Sequence, residues 1–264
     1  MFDSHFKAKK YFDKNVENYW KRSEAQVKNF SSMIFQRRID IVENFLCRVR
    51  KGTVLDFGMG PAVFGSSCIS QGLRYIGIDI SPEMVQKAKS LNLQNAEFMV
   101  GDIDLLGVFR NKMDAVLCIG LLDYLEDPEQ GILALADCVK PDGYLILSFR
   151  NRFSLPRYLR DVLKISLSVF HQCKLSWQKK AFFSEVHEKA FDYSTQLNPK
   201  LVHLGFRDFE VNYFNCSPFF FNFPLPSWIW RKWRCWDSQL ASQRTRFLCS
   251  GGVIVAKRRQ GDIP

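Results

Sequence analysis

A regular alternation of short apolar runs with amphipathic stretches, between Thr53 and Phe149, constrains the fold of this chain more than any other feature. Such alternation is typical of an open parallel sheet whose strands are joined by crossover helices. It predicts five strands: Thr53–Phe57, Arg74–Asp79, Ala96–Val100, Ala115–Ile119 and Tyr144–Ser148. Two later runs, Arg207–Tyr213 and Gly251–Lys257, predict two further strands. The sequence therefore predicts an α/β fold around a seven-stranded, mostly parallel sheet with helices on both faces.

Capping and turn signals place two of the crossover helices. The run Ser81–Glu83 (SPE) supplies an N-cap, a first-turn proline and an early carboxylate, so a helix is predicted from there toward Leu91. The run Lys140–Gly143 (KPDG) predicts a turn that ends a helix beginning near Leu121 and leads into the fifth strand.

The segments on either side of this core differ from it. Residues from Ser32 to Arg48 form an amphipathic pattern that predicts a helix before the sheet. The stretch Asn151–Asn198 is rich in helical patterns and longer than an ordinary connection, which predicts a helical insertion covering the substrate. We therefore predict an N-terminal helical cap (1–50), a core (51–150), and a substrate-side insertion with C-terminal strands of the same domain (151–264).

Composition excludes several classes of protein. No stretch approaches the roughly 18 to 20 uninterrupted apolar residues of a membrane-spanning helix, and the first residues hold no apolar block typical of a signal peptide. The eight cysteines form no CxxC pair, so neither a metal site nor a disulfide framework is predicted. Together these features predict a cytoplasmic protein that binds no metal.

The net charge of +10 is unevenly distributed. Residues 51–150 carry 13 acidic and 8 basic side chains, whereas both flanks are basic and favour an anionic partner or membrane surface. The segment 219–236 combines four phenylalanines and four tryptophans with Arg231, Lys232 and Arg234. It suits peripheral membrane contact or the lid of an apolar pocket, and packing on the sheet is an equally open alternative.

The motif with the clearest chemistry is VLDFGMGPA at the end of the first strand, followed by Asp79 at the end of the second. Gly58 and Gly60 let the backbone turn tightly against a ligand, and a carboxylate at Asp79 can accept hydrogen bonds from both ribose hydroxyls. A dinucleotide is disfavoured because Val63 stands at the last glycine position of G-x-G-x-x-G. Asp56 would repel a pyrophosphate but attract an ammonium group. A ligand with a ribose, a cationic amino group and no phosphate is S-adenosylmethionine.

Five runs, in order, extend this pattern: VLDFGMGPAVFG, YIGIDISPEMVQKAK, VGDIDLL, MDAVLCIGLLDYLEDPE and VKPDGYLILSF. They resemble the successive motifs of the class I S-adenosylmethionine-dependent methyltransferases, whose fold is Rossmann-like. Ala62 stands where that family often has glycine.

The resemblance implies a role for each matching residue. Asp56, Gly58 and Gly60 would line the methionine end, and Asp79 would bind the ribose. Ile80 and Met84 would pack on the adenine, Asp102 would accept a hydrogen bond from its exocyclic amine, and Ile103 would also contact the cofactor. Cys118, Ile119 and Gly120 would form the wall beside the methyl group. For Asp102 the alternative is a helix N-cap.

A narrower resemblance covers the flanks. The runs FQRRIDI (35–41), Asn151-Arg152, and His187 followed by Phe191 and LGF (204–206) resemble the ubiquinone-pathway O-methyltransferases and their small-molecule relatives. This resemblance implies that Arg38 binds the cofactor carboxylate and that His187, a catalytic base, faces the acceptor. Tyr124, Asn151 and Arg152 are the predicted substrate-binding residues. Simple surface solvation remains the alternative for Arg38 and His187, and packing for Tyr124.

The sequence thus predicts an enzyme that moves the methyl group of S-adenosylmethionine to a small, lipophilic acceptor. Oxygen is the favoured acceptor atom. A nucleic-acid methyltransferase is the first alternative. It is disfavoured because the run Cys118–Asp123 (CIGLLD) lacks the Asn/Asp-Pro-Pro-aromatic signature, and no nucleic-acid-binding module is recognisable. A non-catalytic S-adenosylmethionine-binding protein is the second alternative.

Overall fold

A computed structural model describes residues 2–24, 30–159, 189–216, 226–242 and 244–260. Seven strands form one sheet: β1 Thr53–Phe57, β2 Arg74–Asp79, β3 Ala96–Val100, β4 Met113–Cys118, β5 Val139–Arg150, β6 Phe206–Cys216 and β7 Cys249–Arg258. Their order in the sheet is β3-β2-β1-β4-β5-β7-β6. Strands β1 to β5 are parallel, and β7 runs antiparallel between β5 and β6. The predicted fold class is confirmed.

In the described ranges, the helices that flank this sheet include α1 Phe2–Glu24, α2 Phe30–Leu46, α3 Gly65–Ser70, α4 Pro82–Lys89, α5 Pro128–Cys138, α6 Asn198–His203 and α7 Ser227–Leu240. Two hydrophobic clusters cover its two faces. One joins apolar residues of α2, α3 and α4 to the sheet, and the other joins residues of α5 and α6. Short helical turns lie at Ile103–Phe109, Leu122–Tyr124, Tyr193–Leu197 and Arg246–Leu248.

The first three strands have the bounds that the sequence predicts. The helix after β2 also begins as predicted, since the Ser81 hydroxyl accepts a hydrogen bond from the Met84 N–H at 3.2 Å. The turn predicted at Lys140–Gly143 is instead part of strand β5. Its pairing is irregular there: Asp142 adopts a positive φ of 60°, which lets the backbone bulge without leaving the sheet.

Two other expectations are corrected. The helix predicted near Leu121 begins only at Pro128, where the Asp127 carboxylate caps it by accepting from the Glu129 and Gln130 N–H groups. The cysteine pattern predicted no disulfide, yet Cys216 and Cys249 form one between the adjacent ends of β6 and β7. Strand pairing brings these two cysteines together, and sequence spacing does not reveal that.

The N-terminal region holds two helices. Helix α2 matches the helix predicted near Ser32–Arg48, and α1, which was not predicted in detail, packs against α2 and α4. Most of the predicted helical insertion, 160–188, lies outside the described residues. Within the described ranges, no helix combines the length and apolar character needed to cross a bilayer. The same ranges contain no group of histidine, cysteine, aspartate and glutamate side chains suited to a metal ion.

Candidate functional site

The loop after β1 lies where the strand order reverses, between β2 and β4 on either side. Open parallel sheets bind ligands at such a switch point. Gly58 adopts a φ of +77°, and a Cβ there would come within 2.5 Å of the Leu121 side chain, so this position needs glycine. At Gly60, with a φ of +56°, a Cβ would meet no atom within 4 Å. The loop therefore presents an open surface for close approach of a ligand.

Asp79 connects this loop to the turn after β2. Its Oδ2 accepts a hydrogen bond from the Gly60 N–H at 2.8 Å, and its Oδ1 accepts from the Ser81 N–H at 2.9 Å. Burial raises the pKa of this carboxyl, and the two backbone hydrogen bonds oppose that rise. Each oxygen keeps acceptor capacity beyond these bonds, so the carboxylate can also receive ligand hydroxyls.

Asp56, at the end of β1, is fully buried. Its Oδ2 accepts a hydrogen bond from the Tyr75 hydroxyl at 2.7 Å. Burial raises the pKa of Asp56 to about 7, the Tyr75 hydrogen bond lowers it, and the charge of Asp79 raises it. Because the pKa of this carboxyl lies near neutral pH, a cationic group nearby would favour its ionised form.

The residues predicted to surround an adenine lie along the ends of β2 and β3. Met84 is buried at the start of α4, while Ile80 and Ile103 are half-buried. The Asp102 Oδ1 accepts a hydrogen bond from the Ile103 N–H at 2.7 Å, so Asp102 caps the helical turn that follows. The capping role offered as an alternative is therefore present.

Beyond β4 lies the wall predicted to face the methyl group. Cys118 is buried and Ile119 is half-buried. Gly120 adopts a φ of +75°, and a Cβ there would come within 2.6 Å of Nη1 of Arg38. Helix α2 thus brings the Arg38 guanidinium group directly against the end of β4, as required of a residue that binds the carboxylate of a ligand there. The prediction for Arg38 stays a prediction, and its position is compatible with it.

Asp123 is a buried carboxyl on this side that sequence reasoning missed. Its Oδ1 accepts a hydrogen bond from the Arg150 N–H at 3.1 Å. Burial raises its pKa to about 6, and the charges of Arg150, Arg38 and Arg157 oppose that rise. The only sequence signal was its place next to Tyr124, directly after a predicted strand.

The other predicted acceptor residues have different surroundings. The Asn151 side chain is buried and donates hydrogen bonds to the carbonyl oxygens of Arg246 and Cys249, at 2.7 and 2.9 Å. It therefore holds the end of β5 against the start of β7. Arg152 is exposed, and His187 lies outside the described residues.

Known proteins resemble the chain at the level of both sequence and structure. Residues 55–147 match a family described as a methyltransferase domain. A ubiquinone biosynthesis O-methyltransferase of Xanthomonas axonopodis pv. citri (strain 306) is 34% identical over 103 residues, which are 38% of this chain and 43% of that relative. A protein with the same description from Xanthomonas oryzae pv. oryzae (strain PXO99A) gives the same values. The chain thus spans less than half the length of these curated relatives.

Solved structures with the same fold cover nearly the whole chain. Magnesium protoporphyrin IX methyltransferase from Synechocystis PCC 6803 with bound SAM has a TM-score of 0.61 at 19% identity and covers 98% of both chains. A SAM-dependent methyltransferase of Thermotoga maritima, described as a possible histamine N-methyltransferase, has a TM-score of 0.59 at 16% identity and covers 94% of this chain and 98% of its own.

The chain therefore has the fold of the S-adenosylmethionine-dependent methyltransferases. Residues 55–147 match the methyltransferase-domain family, so the predicted resemblance is confirmed.

Proposed function

We propose that this protein transfers the methyl group of S-adenosylmethionine to the oxygen of a small, lipophilic acceptor. The observation that carries the proposal is the position of Asp79, whose carboxylate joins the open glycine loop to the turn after β2 at the switch point of the sheet. The description of the Xanthomonas relatives as O-methyltransferases supports oxygen as the atom that is methylated.

The residues present fit the cofactor. Asp79 accepts hydrogen bonds from the ribose hydroxyls, and the open surface at Gly60 admits the ligand close to the backbone. Asp56 and Gly58 lie toward the methionine end, where Arg38 binds the carboxylate. The adenine is surrounded by Ile80, Met84, Asp102 and Ile103. The methyl group lies beside Cys118 and Ile119.

The bound cofactor supplies a methyl group on a sulfonium, which is a good leaving group. The main work of the chain is therefore to hold the acceptor oxygen in line with the methyl carbon and to exclude water. Tyr124 and Arg152 lie near the exits of β4 and β5 and would border the acceptor, while the buried Asn151 holds the end of β5 in place behind them. His187 would remove the hydroxyl proton, since a histidine titrates near neutral pH.

Transfer of labelled methyl from S-adenosylmethionine into a metabolite extract, with products identified by mass, tests this proposal. We expect label in a small lipophilic product. Label confined to nucleic acid would contradict the proposal, as would tight cofactor binding without turnover on any acceptor.

We also propose that helix α7 brings the enzyme to an anionic membrane surface. One side of the helix is fixed to the protein: the buried Asp237 carboxylate accepts from the N–H groups of Asn215 and Cys216, and Arg234 pairs with Asp40 at 3.1 Å. The opposite side exposes Trp228, Trp236, Arg231 and Lys232. Aromatic and basic side chains on one surface suit the interface of an anionic bilayer.

The rest of the described surface supports this choice. Among the side chains whose burial is described, the exposed large aromatic ones are Phe153, Tyr158, Trp228, Trp236 and Phe247. The segment holding Phe153 and Tyr158 is joined to the residues beside Phe247, because Arg157 donates a hydrogen bond to the Ser250 carbonyl. Exposed aromatic residues thus concentrate around the acceptor side of the sheet, where a lipophilic acceptor would enter.

Co-sedimentation with vesicles tests the membrane proposal. We expect binding to anionic but not neutral vesicles, reduced by salt and by the double variant Trp228→Ser/Trp236→Ser. The matched control is Leu133→Ser/Val202→Ser, which removes exposed apolar side chains elsewhere on the surface. A wild-type protein that stays in the supernatant at low salt would contradict this proposal and leave the methyltransferase proposal unaffected.

A further inference from the structure

Helix α1 crosses the switch point of the sheet. The Phe12 ring contacts the Tyr124 ring edge-on, with 5.7 Å between centroids, and Tyr124 follows β4. The Asp13 carboxylate accepts a hydrogen bond from the Ser81 hydroxyl at 2.5 Å, and Ser81 follows β2. Because β1 lies between β2 and β4, two consecutive residues of α1 reach both sides of the glycine loop.

The orientation of α1 is fixed one turn further along. Glu17 forms an ion pair with Lys87 of α4 at 3.7 Å, and the Lys87 ammonium lies 4.8 Å from the centre of the Trp20 ring. Asp13, Glu17 and Trp20 follow the i, i+4, i+7 spacing of one helix face. This face packs on α4, so the Asp13 carboxylate is directed at the ribose side of the site.

Asp13 and Asp79 are close enough to interact. The charge of Asp13 contributes to the raised pKa of Asp79. Ser81, fully buried, donates its hydroxyl to Asp13 and its backbone N–H to Asp79, so it is bonded to both carboxylates. Two carboxylates close together repel each other unless donors lie between them. The two adjacent hydroxyls of a ribose supply such donors.

We propose that Asp13 is a second ribose-binding carboxylate, carried to the site by α1, an inference that rests on S-adenosylmethionine being the cofactor. Asp79 accepts one ribose hydroxyl and Asp13 accepts the other. Helix α1 is thereby held closed by the cofactor and has to move when the cofactor exchanges. Asp13 is in this view a cofactor-binding residue that does not touch the transferred methyl group.

A cycle of protein and ligand changes tests the proposal. The ligands are S-adenosylhomocysteine and its 2′-deoxy and 3′-deoxy analogues. The proteins are wild type, Asp13→Ala, Asp13→Asn and the control Lys14→Gln, which changes an exposed side chain of the same helix. Calorimetry gives each affinity. We expect Asp13→Ala to weaken S-adenosylhomocysteine binding roughly tenfold, as loss of a hydrogen bond to a charged group implies. Asp13→Asn should be intermediate.

The decisive measurement is the loss of binding affinity when one ribose hydroxyl is removed from the ligand. One of the deoxy analogues should lose less affinity in Asp13→Ala than in wild type, whereas Lys14→Gln should lose as much affinity as wild type. Displacement of bound S-adenosylhomocysteine, followed by stopped flow, should be faster in Asp13→Ala. If each deoxy analogue loses as much affinity for Asp13→Ala as for wild type, the inference is overturned.

This outcome is separable from failure of the proposed function. If wild type does not bind S-adenosylhomocysteine, the cofactor assignment itself is wrong. If wild type binds and only the hydroxyl coupling is missing, the assignment stands and Asp13 has no role in ribose binding. Thermal melts of all variants establish that they are folded.

Discussion

The cofactor side and the acceptor side of the molecule are built by different kinds of contact. On the cofactor side, Asp79 bonds to Ser81, two residues away, and to Gly60, 19 residues away at the end of the neighbouring strand. On the acceptor side, Asn151 bonds to the backbone of Arg246 and Cys249, which lie far along the chain.

The comparison explains which part relatives share. The methyltransferase-domain match at residues 55–147 ends where the long-range contacts of the acceptor side begin. A site assembled from short motifs keeps its geometry as long as those motifs persist. A site assembled from distant segments can change its acceptor by altering any one of them, because loops on a rigid scaffold tolerate variation.

The largest expected effect separates turnover from binding. His187→Ala should lower turnover by about a hundredfold or more if His187 is the base, and leave cofactor affinity nearly unchanged. The control is His203→Ala, since His203 is exposed on α6. Equal turnover of wild type and His187→Ala from pH 6 to 9 would mean that His187 takes no part in the reaction.

A similar change on the cofactor side should act on binding instead. Asp79→Ala should weaken S-adenosylmethionine affinity about tenfold to a hundredfold, because the ribose hydroxyls lose a charged acceptor. Asp79→Asn should lose less, since its amide oxygen still accepts one hydrogen bond. Calorimetry measures both, with the exposed Asp104→Ala as control. Unchanged affinity in a folded Asp79→Ala protein would refute the cofactor assignment.

A smaller effect concerns Asp56, the buried carboxyl of the cofactor side. Its pKa is about 7 in the folded protein against an ordinary value of 3.8. Between pH 3.8 and about pH 7, Asp56 is ionised in the unfolded chain but keeps its proton in the folded protein. The free energy of unfolding that Asp56 contributes therefore falls as pH rises through this range, and the contribution is lost above about pH 7. Asp56→Asn cannot titrate, and its advantage over wild type should therefore grow from pH 4 to pH 8.

Melting temperatures without ligand measure this difference. We expect Asp56→Asn to melt higher than wild type by about 5 °C at pH 8, and by less at pH 5. Asp79 and Asp123 titrate in both proteins and cancel in the comparison. Tyr75→Phe removes the hydrogen bond that favours the charged form, so it should lose more stability at pH 8 than at pH 5. A difference independent of pH would show that Asp56 keeps an ordinary pKa.

The difference between local and long-range contacts also determines how much could be predicted from the sequence. Strands β1 to β3 and the cap at Ser81 follow from local patterns, so their bounds were predicted correctly. The glycine loop and Asp79 were predicted because each directly marks the end of one of two consecutive strands, 19 residues apart.

Features made by tertiary contact escaped prediction. The disulfide between Cys216 and Cys249 depends on the pairing of β6 with β7, and nothing local marks either cysteine. Asp13 looks like an ordinary polar residue of a surface helix, and only the packing of α1 on α4 brings it to Ser81. The turn signal at Lys140–Gly143 misled because Val139 and Tyr144, on either side of it, both pair with β4, so the segment bulges within one strand.

The position of β7 has a consequence for how the chain folds. This strand pairs Ala256 with Leu145 of β5 and Val255 with Glu210 of β6, so it joins two strands that otherwise do not touch. During synthesis, β1 to β5 emerge first and leave the edge of β5 without a neighbour. Closing the long connection between Arg150 of β5 and Cys249 of β7 is slow. Until then, the unpaired apolar edge of β5 can associate with other chains. The docking of β7 is therefore the step at which nascent chains are most exposed to aggregation.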